Sequence, residues 1–222
     1  MIHLNRRALL LGLSATAASM AFLGLGLPAF AQDNSTKVDG ASGTVDLSDL
    51  LTPPDEGDMT LGPDTAKVTI VEYGSASCPH CAAFYKDTFL KLKTDYIDTG
   101  KVRFIFREFP HNDQGLAAFM VARCAPKEKY WPLIDVFFTT QQKWVPDAYN
   151  QLKNIAQQAG MSAADFEACL KNEKVAKAIL DVREKGAKKY GVNGIPYIFV
   201  NGKVFEGETS YDAMKAAIDP LL

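Results

Sequence analysis

The chain has little of the two residue types that usually build soft-metal sites, with three histidines and four cysteines among 222 residues. Beyond the N-terminal segment only His80 and His111 remain, and there is one Cys-X-X-Cys and no His-X-His. A structural zinc site would therefore be short of its four ligands. An excess of basic charge is also missing, since 24 Lys and Arg face 26 Asp and Glu. We predict no metal, no other cofactor and no nucleic-acid partner.

Charge is absent over one long stretch only, at the N-terminus. Residues 1–31 combine a basic start, an apolar run and a small-x-small ending at Ala31, which predicts an export signal peptide and a periplasmic location. The paired Arg6 and Arg7 leave the twin-arginine and general secretory routes both open. The alternative is a retained membrane anchor, because the uncharged run over residues 8–31 is about long enough to span a bilayer.

The next part of the chain changes from polar to strand-like. Residues 32–58 are rich in Asp, Ser, Gly and Pro, with one short apolar group around residues 47–51, and are interpreted as a flexible leader with room for one short turn of helix. Residues 66–74 and 101–109 are β-branched and apolar, which predicts two strands. Between them, apolar residues recur at helical spacing, at Tyr85, Phe89, Leu92 and Tyr96. The order predicts a βαβ unit with parallel strands.

The remainder is mostly helical until a hairpin near the end. Residues 112–172 show helical patterns without a convincing strand, and Ser162 is a candidate N-cap. A helix over residues 173–190 is followed by two apolar runs joined by Asn201 and Gly202, a strong hairpin signal, and by a short amphipathic helix.

This order of elements predicts an α/β chain with a thioredoxin-like fold and an inserted helical domain. The first half of the thioredoxin-like domain is assigned to residues 59–111, the helical insertion to 112–172 and the second half to 173–222.

The chemistry is expected at Cys78-Pro79-His80-Cys81, which begins the helix after the first strand. Pro79 suits the first helical turn. At a helix N-terminus, free backbone N–H groups and the helix dipole favour the thiolate of Cys78, and His80 adds to this. A stabilised thiolate makes the Cys78–Cys81 disulfide an oxidant that is readily transferred.

Two further positions fit this chemistry. Glu72 lies on the preceding strand, where a buried acid could relay protons to Cys81; the alternative is an exposed glutamate at the strand end. Ile195-Pro196 opens the hairpin, where a cis peptide could place the proline beside the disulfide and present backbone groups to a bound peptide.

The segments EYGSASCPHC and GVNGIPYIFVNG, on either side of the helical block, resemble the DsbA family of exported thiol:disulfide oxidoreductases in the thioredoxin superfamily. The resemblance covers about residues 59–222. It implies Cys78 as nucleophile, Cys81 as resolving cysteine, Glu72 as buried acid and Pro196 as the cis-proline.

The resemblance also implies partners: reduced or unfolded exported proteins as substrates, and a membrane redox partner. Many relatives have Thr or Val where Ile195 stands, so an oxidase and an isomerase or reductase both remain open. Outside this chemistry, the alternatives are a peptide-binding holdase with an idle disulfide and a metal carrier. The oligomeric state is left open.

The other two cysteines, Cys124 and Cys169, fall in the helical block. In an exported protein we expect a structural disulfide between them, with two separate buried thiols as the alternative. His111 is interpreted as a surface loop residue rather than a catalytic base.

Overall fold

The computed structural model describes residues 43–222. The predicted signal peptide, the alternative membrane anchor and residues 32–42 of the predicted leader lie outside the described residues. Among the helices of the described part, none is both long and apolar enough to cross a membrane.

Five strands of the described part form one mixed sheet. Their order is β1-β3-β2-β4-β5, with β2 and β3 parallel and the other neighbours antiparallel. All seven residues of β2 are buried, as expected for an apolar strand in the middle of a sheet. The strands are β1 (Met59–Leu61), β2 (Val68–Gly74), β3 (Val102–Glu108), β4 (Tyr197–Val200) and β5 (Lys203–Val204). The two predicted parallel strands and the hairpin are confirmed, whereas β1 was not predicted.

The helix between β2 and β3 carries the dithiol at its start. It runs as α2 (Pro79–Phe84), a π-helical segment (Tyr85–Phe89), α3 (Leu90–Leu92) and a second π-helical segment (Lys93–Ile97). The four aromatic and aliphatic residues that predicted this helix are all buried. Gly100 then adopts a φ of 77°, a conformation that glycine takes easily.

The predicted helical block follows β3. Its helices are α4 (Asp113–Cys124), α5 (Tyr130–Thr139), α6 (Gln141–Trp144), α7 (Ala148–Gln158) and α8 (Ala163–Leu170). Ser162 caps α8 as predicted, since its side chain accepts a hydrogen bond from the backbone N–H of Asp165. Cys124 and Cys169 form a disulfide with a Cα–Cα distance of 6.0 Å, which joins the end of α4 to α8.

The second half of the sheet is built by α9, the hairpin and the last helix. The long helix α9 (Glu173–Tyr190) leads to β4 and β5, and α10 (Tyr211–Ile218) closes the chain. Asn201 and Gly202 have φ values of 48° and 80°, the left-handed pair that a two-residue hairpin turn requires.

Residues 43–58, the described part of the predicted flexible leader, contain one short turn of helix and pack against the rest of the chain. Leu50, in the one-turn helix α1 (Leu47–Leu50), is fully buried. Asp58 forms a buried ion pair with Arg107 of β3, with 3.0 Å between Oδ1 and Nε. The segment has only one short apolar group, around residues 47–51, but these contacts to elements distant in sequence hold it in place.

Candidate active site: a dithiol at the start of a helix

The two cysteines of the candidate active site lie at the N-terminus of α2. Cys78 is the N-cap residue in an extended conformation, Pro79 is at the first helical position, and Cys81 is in the first turn. Residues 75–78, named here the cysteine turn, connect β2 to the helix and are closed by a hydrogen bond from Cys78 N–H to the Ser75 carbonyl oxygen (3.0 Å). Both cysteines are free thiols, with Cys78 7% exposed and Cys81 fully buried. Only the first sulfur is therefore open to a partner.

The surroundings of Cys78 favour its thiolate. Hydrogen bonding from the Cys81 thiol is the main cause, and it lowers the pKa of Cys78 to about 5. Burial opposes this effect. The backbone N–H groups of Cys81 and His80, which point out of the helix start, assist it, as does the charge of His111 when protonated.

Cys81 has the opposite character. Donating its hydrogen to Cys78 raises the pKa of the Cys81 thiol, and burial and the charge of Glu72 raise that pKa further. The backbone N–H of Ser75, which donates to Cys81 Sγ at 3.5 Å, lowers it. The pair is thus divided into one thiolate and one thiol at neutral pH.

Glu72 lies in the middle of the sheet rather than exposed at a strand end. It is 3% exposed and pairs in register with Phe106 on one side and Ile198 on the other. Burial first, and the charge of the Cys78 thiolate second, raise the pKa of Glu72 to about 8. A carboxyl group with this pKa can hold or release a proton close to neutral pH.

The Ile195–Pro196 peptide bond is cis, as the resemblance implies. It directly precedes β4, which pairs with β2 next to the cysteine turn. The Ile195 carbonyl oxygen lies 3.8 Å from Cys78 Sγ. This backbone therefore borders the Cys78 sulfur. Pro79 and His80 are both exposed at the helix start.

Sequence reasoning missed a residue of α6 that reaches the cysteine turn. Gln141, at the start of α6, is 7% exposed, and its Nε2 donates to the carbonyl oxygens of Ala76 (2.7 Å) and Cys78 (2.9 Å). No local pattern marks this glutamine, because its partners are more than sixty residues earlier in the chain.

His111 lies in an exposed loop between β3 and α4, as predicted, yet its side chain is directed towards the cysteine turn. Its Nδ1 is 3.1 Å from Ser75 Oγ. Within residues 43–222, no group of three or more His, Cys, Asp or Glu side chains is arranged to hold a metal ion.

Comparison with known proteins identifies the relatives of this chain. A family model described as thioredoxin matches residues 54–220. A Rickettsia conorii protein named as a protein-disulfide oxidoreductase is 36% identical over 171 residues, covering 76% of this chain and 61% of that protein. The chain thus spans less than two thirds of that relative. Disulfide bond formation protein D of Bacillus subtilis is 30% identical over 180 residues, covering 75% of this chain and 78% of that protein.

Solved structures agree with the sheet and the helical insertion. Wolbachia pipientis α-DsbA1 superposes with a TM-score of 0.71 at 28% identity, over 78% of this chain and 95% of that one. Oxidised BdbD of Bacillus subtilis gives 0.66 at 28% identity, over 76% and 95%.

A Cys-X-X-Cys dithiol at the start of the first long helix, beside a cis-proline and in contact with a helical insertion, defines the class of this protein as thioredoxin-fold. Within that class the chain belongs to the DsbA family.

Proposed function

We propose that this protein is a periplasmic dithiol oxidase that transfers its Cys78–Cys81 disulfide to newly exported proteins. The observation that carries the proposal is the difference between the two sulfurs. Cys78 is reachable and has a pKa of about 5, whereas Cys81 is buried and its pKa is raised. Such a pair is stabilised in the reduced form, and its disulfide is therefore a strong oxidant.

In the proposed reaction, a substrate thiolate attacks Cys78 Sγ of the oxidised protein. The Cys78–Cys81 bond breaks, its electron pair goes to Cys81, and a mixed disulfide joins the substrate to Cys78. A second substrate thiolate then attacks the substrate sulfur and releases Cys78 as a thiolate. The substrate loses two electrons and the protein gains them.

Proton transfer to Cys81 accompanies the proposed disulfide exchange. The thiolate formed on Cys81 takes up a proton, because its pKa is raised by burial and by Cys78. Glu72, with a pKa of about 8, is protonated at neutral pH and is the proposed donor, to be reprotonated from solvent. The peptide backbone at Ile195 and Pro196 is the proposed contact for the substrate chain beside Cys78.

Reoxidation requires an electron acceptor outside this chain. We propose a membrane redox partner for this step, in keeping with the predicted export signal over residues 1–31. The Bacillus subtilis relative is named as a disulfide bond formation protein, which supports the oxidising direction.

The redox equilibrium of the Cys78–Cys81 pair with glutathione tests the direction, using protein that retains Cys124 and Cys169. We expect a potential well above the roughly −270 mV of thioredoxin and towards the roughly −120 mV of DsbA. A value near that of thioredoxin would instead indicate a reductase or an isomerase kept reduced in the cell.

The role of the nucleophile is tested by Cys78→Ser. We expect the variant to lose all oxidation of a reduced, unfolded substrate protein. Full activity in that variant would refute the mechanism, and retained prevention of aggregation without both cysteines would favour the holdase alternative.

A further inference from the structure

Four polar side chains beside the dithiol form a closed ring of hydrogen bonds, named here the Ser-His-Asn ring. His111 Nδ1 is 3.1 Å from Ser75 Oγ, which is 3.2 Å from Ser77 Oγ. Ser77 Oγ is 2.7 Å from Asn112 Oδ1, and Asn112 Nδ2 is 3.3 Å from His111 Nε2. Two members lie in the cysteine turn and two lie in the loop that precedes α4.

The donor and the acceptor of each hydrogen bond in the ring can be assigned from Asn112, the N-cap of α4. The backbone N–H of Gly115 can only donate, so the Asn112 atom that it contacts at 2.9 Å is the carbonyl Oδ1. The amide nitrogen of Asn112 then donates to His111 Nε2, which leaves the proton of a neutral imidazole on Nδ1. Nδ1–H donates to Ser75, Ser75 donates to Ser77, and Ser77 donates to Asn112. Each link has one donor and one acceptor.

Close packing around the ring indicates that its geometry is tightly constrained. A Cβ added to Gly115 would lie 2.7 Å from both Ser75 Oγ and Ser77 Oγ, closer than such contacts allow. Gly115 is inside a helix, where its φ is ordinary and alanine is the better helix former. The glycine is therefore explained by the two hydroxyl groups that pack against it.

The ring reaches the dithiol through the backbone of Ser75. The Ser75 N–H donates to Cys81 Sγ, and the Ser75 carbonyl accepts from Cys78 N–H. Ser75 is completely buried, so its peptide groups have little access to water as alternative partners. Holding the Ser75 side chain thus fixes the donor that faces the buried sulfur.

We propose that His111 and Asn112 are positioning residues for thiol:disulfide exchange: through Ser75 they hold the N–H donor that stabilises Cys81 as it leaves. The proposal rests on the exchange function proposed for Cys78 and Cys81. When a substrate thiolate bonds to Cys78 Sγ and the Cys78–Cys81 bond breaks, the electron pair arrives on Cys81 before the proton does. The Ser75 N–H supplies stabilisation during that interval.

Two variants of His111 distinguish a role of its hydrogen bond to Ser75 from a general structural role of the residue. In His111→Asn, Nδ2 stands at the same number of bonds from the backbone as the imidazole Nδ1 and can still donate to Ser75. In His111→Gln, Nε2 replaces the other ring nitrogen and the link to Ser75 is lost. Ser162→Ala, which removes the N-cap of α8 far from the dithiol, serves as a matched stability control.

The assay is the stopped-flow rate at which dithiothreitol reduces the oxidised protein, with the pH midpoint of Cys78 alkylation measured in parallel. We expect His111→Gln and Gly115→Ala to react about fivefold more slowly, the effect of one weakened hydrogen bond. His111→Asn, which keeps a donor to Ser75, and Ser162→Ala should stay within about twofold of wild type. The Cys78 midpoint should be the same in His111→Asn and His111→Gln, because both variants remove the imidazole that assists the thiolate.

Equal rates for His111→Gln and wild type would overturn the proposal. So would an equal loss in His111→Asn and His111→Gln, which would indicate a structural role. Failure of the exchange function itself is distinguishable, because it would appear as activity retained in Cys78→Ser with the Ser-His-Asn ring intact.

Discussion

A change of pH should alter the redox equilibrium of the Cys78–Cys81 pair in a way fixed by the thiolate of Cys78. Below pH 5 the reduced protein carries two thiols, and above pH 5 it carries one thiolate, because the pKa of Cys78 is about 5. Glutathione, with a thiol pKa near the roughly 8.5 of free cysteine, stays protonated to about pH 8. Reduction of the protein by glutathione therefore releases one proton in this window.

The expected magnitude follows from that proton. The equilibrium constant for reduction should rise about tenfold per pH unit above pH 5, equivalent to about 30 mV per unit relative to glutathione. At pH 7 the thiolate then favours the reduced form about a hundredfold, or about 2.7 kcal/mol. A pair with two ordinary thiols would show no change over the same window.

Glu72 modifies this slope in the wild type. Since the Cys78 thiolate raises the pKa of Glu72, the carboxyl group takes up part of a proton on reduction. The wild-type slope should therefore be shallower near neutral pH than the slope of Glu72→Gln, which should keep the full tenfold per unit.

The assay uses glutathione buffers between pH 4 and 8, an acid quench, and mass tagging of free thiols. The Cys124–Cys169 disulfide provides an internal reference of untagged cysteines. An equilibrium constant independent of pH between 5 and 8 in Glu72→Gln would refute the reasoning. A break in the slope near pH 8 would show that the helix start stabilises the thiolate far less than argued.

Three further predictions concern the stability of the protein. Burial raises the pKa of Glu72 above its value in the unfolded chain, so the free energy of unfolding should fall from pH 5 to 7.5 by up to about 3 kcal/mol relative to Glu72→Gln in urea titrations; equal pH profiles would contradict this. Gln141→Leu leaves two carbonyl groups of the cysteine turn without their donor and should cost about 2 kcal/mol, whereas its exposed neighbour Gln142→Leu should cost less than about 0.5. Replacing Cys124 and Cys169 by Ala should lower the urea midpoint by the equivalent of up to about 4 kcal/mol while the exchange rate stays within about twofold; a large loss of rate would assign the second disulfide a redox role.

The sequence was informative where a local pattern determines local structure. The apolar run of β2, the Asn201–Gly202 turn and the Ser162 cap each depend on residues a few positions apart, and each was predictable. The three residues of β1 (Met59–Leu61) are too few to show alternation, and their strand conformation comes from pairing with β3.

Contacts between distant residues explain what the sequence could not indicate. The order of residues 43–58 depends on partners such as Arg107, which is 49 positions from Asp58. His111 and Gln141 reach the cysteine turn across 36 and 65 residues respectively. The spacing of single residues does not indicate such contacts, which form only when distant parts of the chain fold together.

The two edges of the described sheet, β1 and β5, offer few backbone groups for an unfolded chain to pair with. A strand edge offers unpaired backbone groups to any unfolded chain. Beside β5 the backbone is already engaged, because Thr44 bridges to Lys203 and Val45 N–H donates to the Gly202 carbonyl (2.8 Å). At the opposite end, β1 is only three residues long. Under the proposed function, an unfolded substrate chain would find few unpaired backbone groups along these two edges of the described sheet. The backbone beside the cis-proline, next to Cys78 Sγ, is the proposed place where it binds.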